Sequence, residues 1–186
     1  MTWLVHRLLT LRGWRFLGVL PDDPKMIIIG APHTTNWDFL LFMGALRAYR
    51  MKVRFVGKDG LFRWPFGYFF RALGGIPVSR SRPGGVVGQV VREFEEADRM
   101  ILVIAPEGTR RAAPTWKSGF IHIARGAGVP VVPASVDFTS REVELGAAIP
   151  VTDDIVGFMD QLRVFYEGKR GLLSQGIGPI TVAEEG

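Results

Sequence analysis

The sequence predicts a single α/β domain with a largely parallel, buried sheet flanked by helices and an amphipathic helix at the N-terminus. Three observations predict it. Runs of consecutive apolar residues, such as Met26–Gly30 and Met100–Ala105, have strand length and no polar alternation, as strands covered on both faces do. Between such runs lie stretches of helical periodicity, so strands and helices alternate through most of the chain. The chain has 186 residues, 47% of them hydrophobic, which suits one domain with a full core. No repeat, low-complexity segment or linker interrupts it, so residues 1–186 read as one unit with a motif-bearing core at 25–135.

Residues 2–17 read as an amphipathic helix. Trp3, Leu4, Leu8, Leu11 and Phe16 recur near helical spacing, with Arg7, Arg12 and Arg15 between them. Basic residues beside a leucine stripe and a tryptophan suit a helix lying on a membrane surface, and residues 1–20 are assigned to that role; an ordinary helix packed on the domain would look the same. Pro21–Pro24 forms a turn before the strand Met26–Gly30. A helix is predicted over about Asn36–Arg50, and a strand over Lys52–Val56. Leu61–Leu73 carries Phe62, Trp64, Phe66, Tyr68, Phe69 and Phe70. Ile76–Val78 reads as a short strand, Val86–Ala97 as a helix with Val86, Val87, Val90, Val91 and Phe94 on its apolar side, and Met100–Ala105 as a strand. A polar loop over 106–117, a helix over 118–127 and a strand over Val129–Val136 follow. Val143–Leu145 is a further candidate strand. Ile155, Phe158, Met159, Leu162 and Phe165 mark a last helix, and the glycine-rich tail after Gly168 reads as irregular.

Composition narrows the chemistry. There is no cysteine, which removes disulfides, thiolate metal sites and a cysteine nucleophile. Three scattered histidines make no familiar metal-ligand set, so no metal or cofactor is expected. No apolar run approaches the roughly 20 residues of a spanning helix, and the arginines near the N-terminus do not suit a signal peptide. Residues 1–82 hold 13 Lys/Arg against 4 Asp/Glu, whereas residues 83–186 hold 10 against 14. Such polarity suggests that one face meets an anionic partner. Arginine provides 18 of the 23 basic residues, and its guanidinium can grip a phosphate with two parallel hydrogen bonds.

Four constellations could carry chemistry. His33 follows a buried strand and precedes a helix, where ligands collect in α/β sheets. Its ordinary pKa of about 6.5 suits proton transfer. Asp38 lies five residues on and can orient an imidazole folded back from the loop. Equally, Thr35-Asn36-Trp37-Asp38 reads as a capping box, with the acid serving the helix alone. His6, on the N-terminal helix, reads as a surface residue, and His122 as a satisfied structural histidine. The second constellation is Gly74-Gly75-Ile76-Pro77-Val78-Ser79-Arg80, with paired glycines for close backbone approach and a cation after the strand. The third is Ala105-Pro106-Glu107-Gly108-Thr109-Arg110-Arg111, with Lys117 in the same loop; as a bare polar turn its charges would simply be solvated. The fourth is Val129-Pro130-Val131-Val132-Pro133.

Taken in order, these four segments resemble the motifs of the glycerolipid acyltransferases, and among them the bacterial lysophosphatidic acid acyltransferases. The resemblance covers roughly residues 25–135; Pro32 stands where many members have asparagine. It implies an enzyme that moves a fatty acyl group from acyl-CoA or acyl carrier protein to a hydroxyl of lysophosphatidic acid, giving phosphatidic acid. His33 would be the general base and Asp38 its orienting partner. Arg80 and Arg110 would hold the acceptor phosphate, with Glu107, Gly108 and Thr109 shaping the loop and Lys58 and Lys117 as further cations. The resemblance also implies residence on the cytoplasmic side of the cell membrane as a peripheral protein.

Arg63 and Arg71 among the aromatics of 61–73 suit docking on an anionic leaflet; equally, these rings could fill a core around an acyl pocket. Three alternatives share these motifs or charges: an acyltransferase for another lysolipid or glycolipid, an acyl hydrolase in which His33 activates water, and a basic membrane adaptor without turnover. Nucleic acid is not an expected partner, since the glycines and cations cluster at strand ends and no nucleic-acid module is present.

Overall fold

The structure is a computed structural model and describes residues 2–32, 38–64, 67–79, 84–108, 115–172 and 179–185, with Phe39, Lys58 and Leu61 described by backbone alone. Its core is a seven-stranded sheet, built from β1 (Arg15–Leu17), β2 (Lys25–Ala31), β3 (Arg54–Lys58), β4 (Gly75–Val78), β5 (Met100–Ile104), β6 (Val131–Asp137) and β7 (Glu142–Leu145). The spatial order is β1-β7-β6-β2-β5-β3-β4. Every neighbouring pair is parallel except the β6–β7 hairpin, so β1 and β7 run against the other five strands. The predicted α/β architecture with a largely parallel sheet is the one observed.

Six helices flank the sheet among the described residues: α1 (Thr2–Leu11), α2 (Asp38–Ala48), α3 (Gly67–Ala72), α4 (Gly85–Glu96), α5 (Gly119–Ala127) and α6 (Ile155–Tyr166). Alternation along β2 divides the core into two layers. Ile27 and Ile29 pack with Val90 and Phe94 of α4, Phe120, Ile121 and Ile123 of α5, and Phe158, Met159 and Leu162 of α6. Met26 and Ile28 face the other way, toward Leu41 and Ala45 of α2. All four isoleucine and methionine side chains over Met26–Ile29 are buried, which is why this strand reads as an unbroken apolar run.

The N-terminal helix is shorter than its periodicity predicts. It stops at Leu11, and Arg15–Leu17 is a strand paired in parallel with Glu142–Glu144. Gly13 is the cause. It sits at φ +82, and Trp14 N–H donates to Leu9 O (3.1 Å) while Gly13 N–H donates to Thr10 O (3.0 Å), a Schellman ending. Phe16 therefore belongs to a strand rather than to the leucine stripe. The helix packs on α2 through Leu9, with Phe16 of β1 beside it, close enough that a Cβ on Gly44 would stand 2.6 Å from Leu9 Cδ1. No helix among the described residues is long and apolar enough to cross a membrane.

Over its described residues the tail after Gly168 is irregular apart from one short turn, as its composition predicts, yet it is tied to the domain. Arg163 of α6 donates to Ile180 O (2.9 Å) and pairs with Glu185. Val182 is buried, and Ala183–Glu185 forms a 3-10 turn. Glu184 accepts from Ser118 and also meets His122 Nε2 at 3.0 Å, and these contacts, the Ser118 bond foremost, hold its carboxyl below the usual range. His122 is thus a satisfied residue of α5, as its position predicts, although its side chain is half exposed. His6 departs from expectation. It is half-buried, its ring lies 4.8 Å from that of Phe16, and its Nδ1 has no hydrogen-bond partner among the described residues.

Candidate active site at the carboxyl edge of the sheet

Strand register determines which segments can meet. Ile29 of β2 lies opposite Ile104 of β5, Val103 of β5 opposite Phe55 of β3, and Lys58 of β3 opposite Val78 of β4. The carboxyl ends of these four parallel strands therefore share one edge. With adjacent strands about 4.8 Å apart, the four ends span about 14 Å. β2 leads toward His33, β3 ends at Lys58, β4 leads through Ser79 toward Arg80, and β5 leads into Pro106-Glu107-Gly108 ahead of Thr109 and Arg110. His33, Arg80, Thr109 and Arg110 lie outside the described residues, as do the side chain of Lys58 and the Thr35-Asn36-Trp37 portion of the capping box.

Asp38 is the first residue of α2 and only 7% exposed. An acidic residue there suits the partial positive charge of the helix N-terminus. The third segment forms a tight turn in which Gly108 N–H donates to Ala105 O (3.1 Å). Pro106 occupies the second turn position and Gly108 the fourth, the places where these residues are favoured in a type I turn. Gly108 has φ +65, a conformation that other residues enter at a cost. The turn buries Glu107 to 7% exposure and lays the end of the exposed Lys117 side chain across Gly108, within 2.6–2.9 Å of where a Cβ would stand. Lys117 N–H donates to Pro106 O (2.9 Å), and Trp116 N–H to Thr181 O (2.8 Å), so the far end of this loop is tied both to its start and to the tail.

Residues to which sequence motifs do not point support this edge. Tyr166, from the end of α6, is fully buried and donates to Ile29 O (2.7 Å) or Ala134 O (3.2 Å), joining β2 and β6. Burial pushes its phenol well above the ordinary range, and the Glu107 carboxylate nearby adds to the effect. Trp116 packs edge-on against Tyr166 (5.5 Å) and is buried, its indole N–H without a partner among the described residues. Gln89 of α4 is buried beside the end of β4. Its Oε1 accepts from Ser79 N–H (3.2 Å), and its Nε2 donates to Ser79 O (2.6 Å) and Gly85 O (2.5 Å). Its one sequence signal is a polar residue set on the Val86–Val90 side of a helix.

The fourth segment does not reach this edge. Val131 and Val132 lie at the start of β6, opposite Ile27 and Ile28, and both are fully buried. Its part is in the core. No cluster of three or more metal-ligating side chains occurs among the described residues.

The family model described as Acyltransferase matches residues 16–137, the stretch from β1 through β6. The chain belongs to this acyltransferase family. It is 30% identical over 166 residues to the 1-acyl-sn-glycerol-3-phosphate acyltransferase of Escherichia coli (strain K12), a match covering 81% of this chain and 66% of that protein. It is also 30% identical over 149 residues to the enzyme of the same name from Haemophilus influenzae, covering 75% of this chain and 60% of the other. The chain thus spans slightly less than two thirds of the length of these curated relatives. Among solved structures, the 1-acyl-sn-glycerophosphate (LPA) acyltransferase PlsC from Thermotoga maritima shares the fold. Its TM-score is 0.56 at 21% identity, over 88% of this chain and 72% of that one.

Proposed function

We propose that this member of the acyltransferase family transfers a fatty acyl group from a thioester, acyl-CoA or acyl carrier protein, to the free hydroxyl of lysophosphatidic acid, giving phosphatidic acid. The observation that carries this reading is the shared carboxyl edge, from which the His33, Arg80 and Glu107–Arg110 segments all depart. The names of the relatives supply the acceptor class.

In this reading His33 removes the hydroxyl proton as the oxygen attacks the thioester carbonyl. The tetrahedral intermediate then collapses, the thiolate leaves and takes up the proton held by the imidazolium, and the ester remains on the acceptor. Asp38, buried at the head of α2, orients the ring and stabilises its charged form. Arg80 and Arg110, with Lys58 and Lys117 beside them, bind the acceptor phosphate. An acceptor bound across the roughly 14 Å between the β2 and β4 ends would present its hydroxyl to one and its phosphate toward the other. Base catalysis contributes about 10²–10⁴-fold, and positioning of the two substrates supplies much of the rest.

The protein works from the membrane surface, on the cytoplasmic leaflet. Supporting this, α1 leaves Trp3, Leu4, Leu8 and Leu11 exposed while Leu9 packs inward. In the aromatic segment Phe62 is buried, but Trp64 is 86% and Tyr68 82% exposed. Rings at headgroup depth beside exposed Arg63 and Arg71 suit an anionic interface.

The test is to incubate the purified protein with a long-chain acyl-CoA, or acyl carrier protein, and lysophosphatidic acid, following free thiol and lipid product together. Acceptor-dependent thiol release with phosphatidic acid formed is the expected result. Thiol release yielding free fatty acid would replace transfer by hydrolysis. Silence with both donors while vesicle binding persists would replace enzyme by adaptor.

A further inference from the structure

The three hydrogen bonds of the Gln89 amide close a loop. The second motif leaves β4 at Ser79, and Gly85 is the first residue of α4. Gln89 bonds to both ends: to Ser79 N–H and C=O on one side and to Gly85 C=O on the other. The arrangement fixes the amide orientation, because the oxygen must face the Ser79 N–H and the NH₂ group must face the two carbonyls. On the Ser79 backbone the side chain acts as one more strand residue would, extending the hydrogen-bonded part of β4 by a residue. Being buried, these bonds meet little competition from water.

We propose that Gln89 is a positioning residue for the second motif, fixing the Ser79 backbone that immediately precedes Arg80 in the chain. The inference rests on the reading of Arg80 as a phosphate ligand. Only an amide of this length serves. Glutamate keeps the acceptor for Ser79 N–H but turns a charged oxygen toward two carbonyls. Leucine keeps the volume and removes all three bonds. Asparagine is a methylene too short to bridge both ends.

The experiment compares Gln89→Leu and Gln89→Glu with the wild type in three ways: amide hydrogen exchange at Ser79, KM for lysophosphatidic acid and for the thioester separately, and both constants again with Arg80→Ala added. The expected result is faster Ser79 exchange and an acceptor KM raised about tenfold, as follows from losing a buried polar contact worth about 1.4 kcal/mol. The thioester KM should stay within about twofold, and once Arg80 is alanine the Gln89 substitution should add almost nothing to the acceptor KM. Equal losses for both substrates, or an undiminished effect beside Arg80→Ala, would overturn the proposal and leave Gln89 a fold residue. If Gln89→Leu does not fold, Gln89→Glu carries the same comparison. A wild type without transferase activity is a different failure, that of the proposed function, and lysophosphatidic acid affinity by calorimetry then replaces KM in the same cycle.

Discussion

On one face of the sheet, α4, α5 and α6 cover β2, β5 and β6 with a continuous layer in which Phe94, Phe120, Phe158, Met159 and Leu162 are almost wholly removed from water. On the other, α1 and α2 bury a smaller set, and much of what packs there is only half-buried: Leu9, Trp14, Phe16, Leu46, Tyr49, Ile101 and Val103. The second face also carries Asp38 at the head of α2 and the exposed leucines of α1. The difference separates two tasks. The first face supplies stability through apolar burial, at about 25 cal/mol per Å². The second keeps less of its surface in the core and holds, in the proposed function, the acid that orients the base and the helix that meets lipid.

The largest expected effect is on chemistry. His33→Ala should lower kcat by about 10²–10⁴-fold with little change in thermal midpoint, and Asp38→Asn should act in the same direction. Wild-type turnover in His33→Ala, measured by acceptor-dependent thiol release, would remove the general base from the mechanism. On the opposite face, Phe120→Ala should cost about 3–5 kcal/mol in chemical denaturation, because this ring is buried against Trp116 and Phe158. Activity per folded molecule, well below the midpoint, should stay near wild type. A matching collapse of kcat in the folded variant would show that the two faces do not divide the work.

A smaller effect is expected at the exposed apolar side of α1. Replacing Leu4, Leu8 and Leu11 together by serine should weaken flotation with anionic vesicles at least about tenfold, since each buried leucine contributes about 1.5–3 kcal/mol. Stability should change little, because all three are exposed. Undiminished flotation would transfer docking to the Trp64–Leu73 segment or abolish it.

The sequence made the layers legible because burial on both faces leaves an apolar run: Met26–Ile29 needed no alternation to be read as a strand. Asp38 and Glu107, to which their motifs point, are both buried, Asp38 at the head of α2 and Glu107 in the turn after β5. The end of α1 was misread because the apolar period carries on to Phe16, although Gly13 marks the stop; a helix ending is decided by one residue's φ, which a period cannot register. Gln89, Trp116 and Tyr166 were missed for another reason. Gln89 bridges a strand end and a helix start that no helical or strand period joins, and Tyr166 lies 137 residues from its partner Ile29, so no local spacing encodes either.

Tyr49 tests the looser face most finely. Its hydroxyl, at the end of α2, donates to Leu17 O (2.7 Å) or Val143 O (3.1 Å), fastening α2 to the junction of β1 and β7. Burial, with the Glu144 carboxylate adding to it, pushes its pKa up to about 12. Since an unfolded tyrosine titrates near about 10, the folded state holds this proton more tightly. The hydroxyl's contribution is therefore fully present below about pH 10 and is lost as pH rises through about 12. Tyr49→Phe should cost about 1 kcal/mol at neutral pH. Its stability curve should then converge on that of the wild type across the alkaline window, because only the wild type has this proton to lose. Tyr166, also raised by burial, is present in both proteins and cancels from the comparison. Coincident curves from pH 7 to pH 12 would mean that the Tyr49 hydroxyl contributes nothing to fastening α2, and the second face would then be held by its apolar contacts alone.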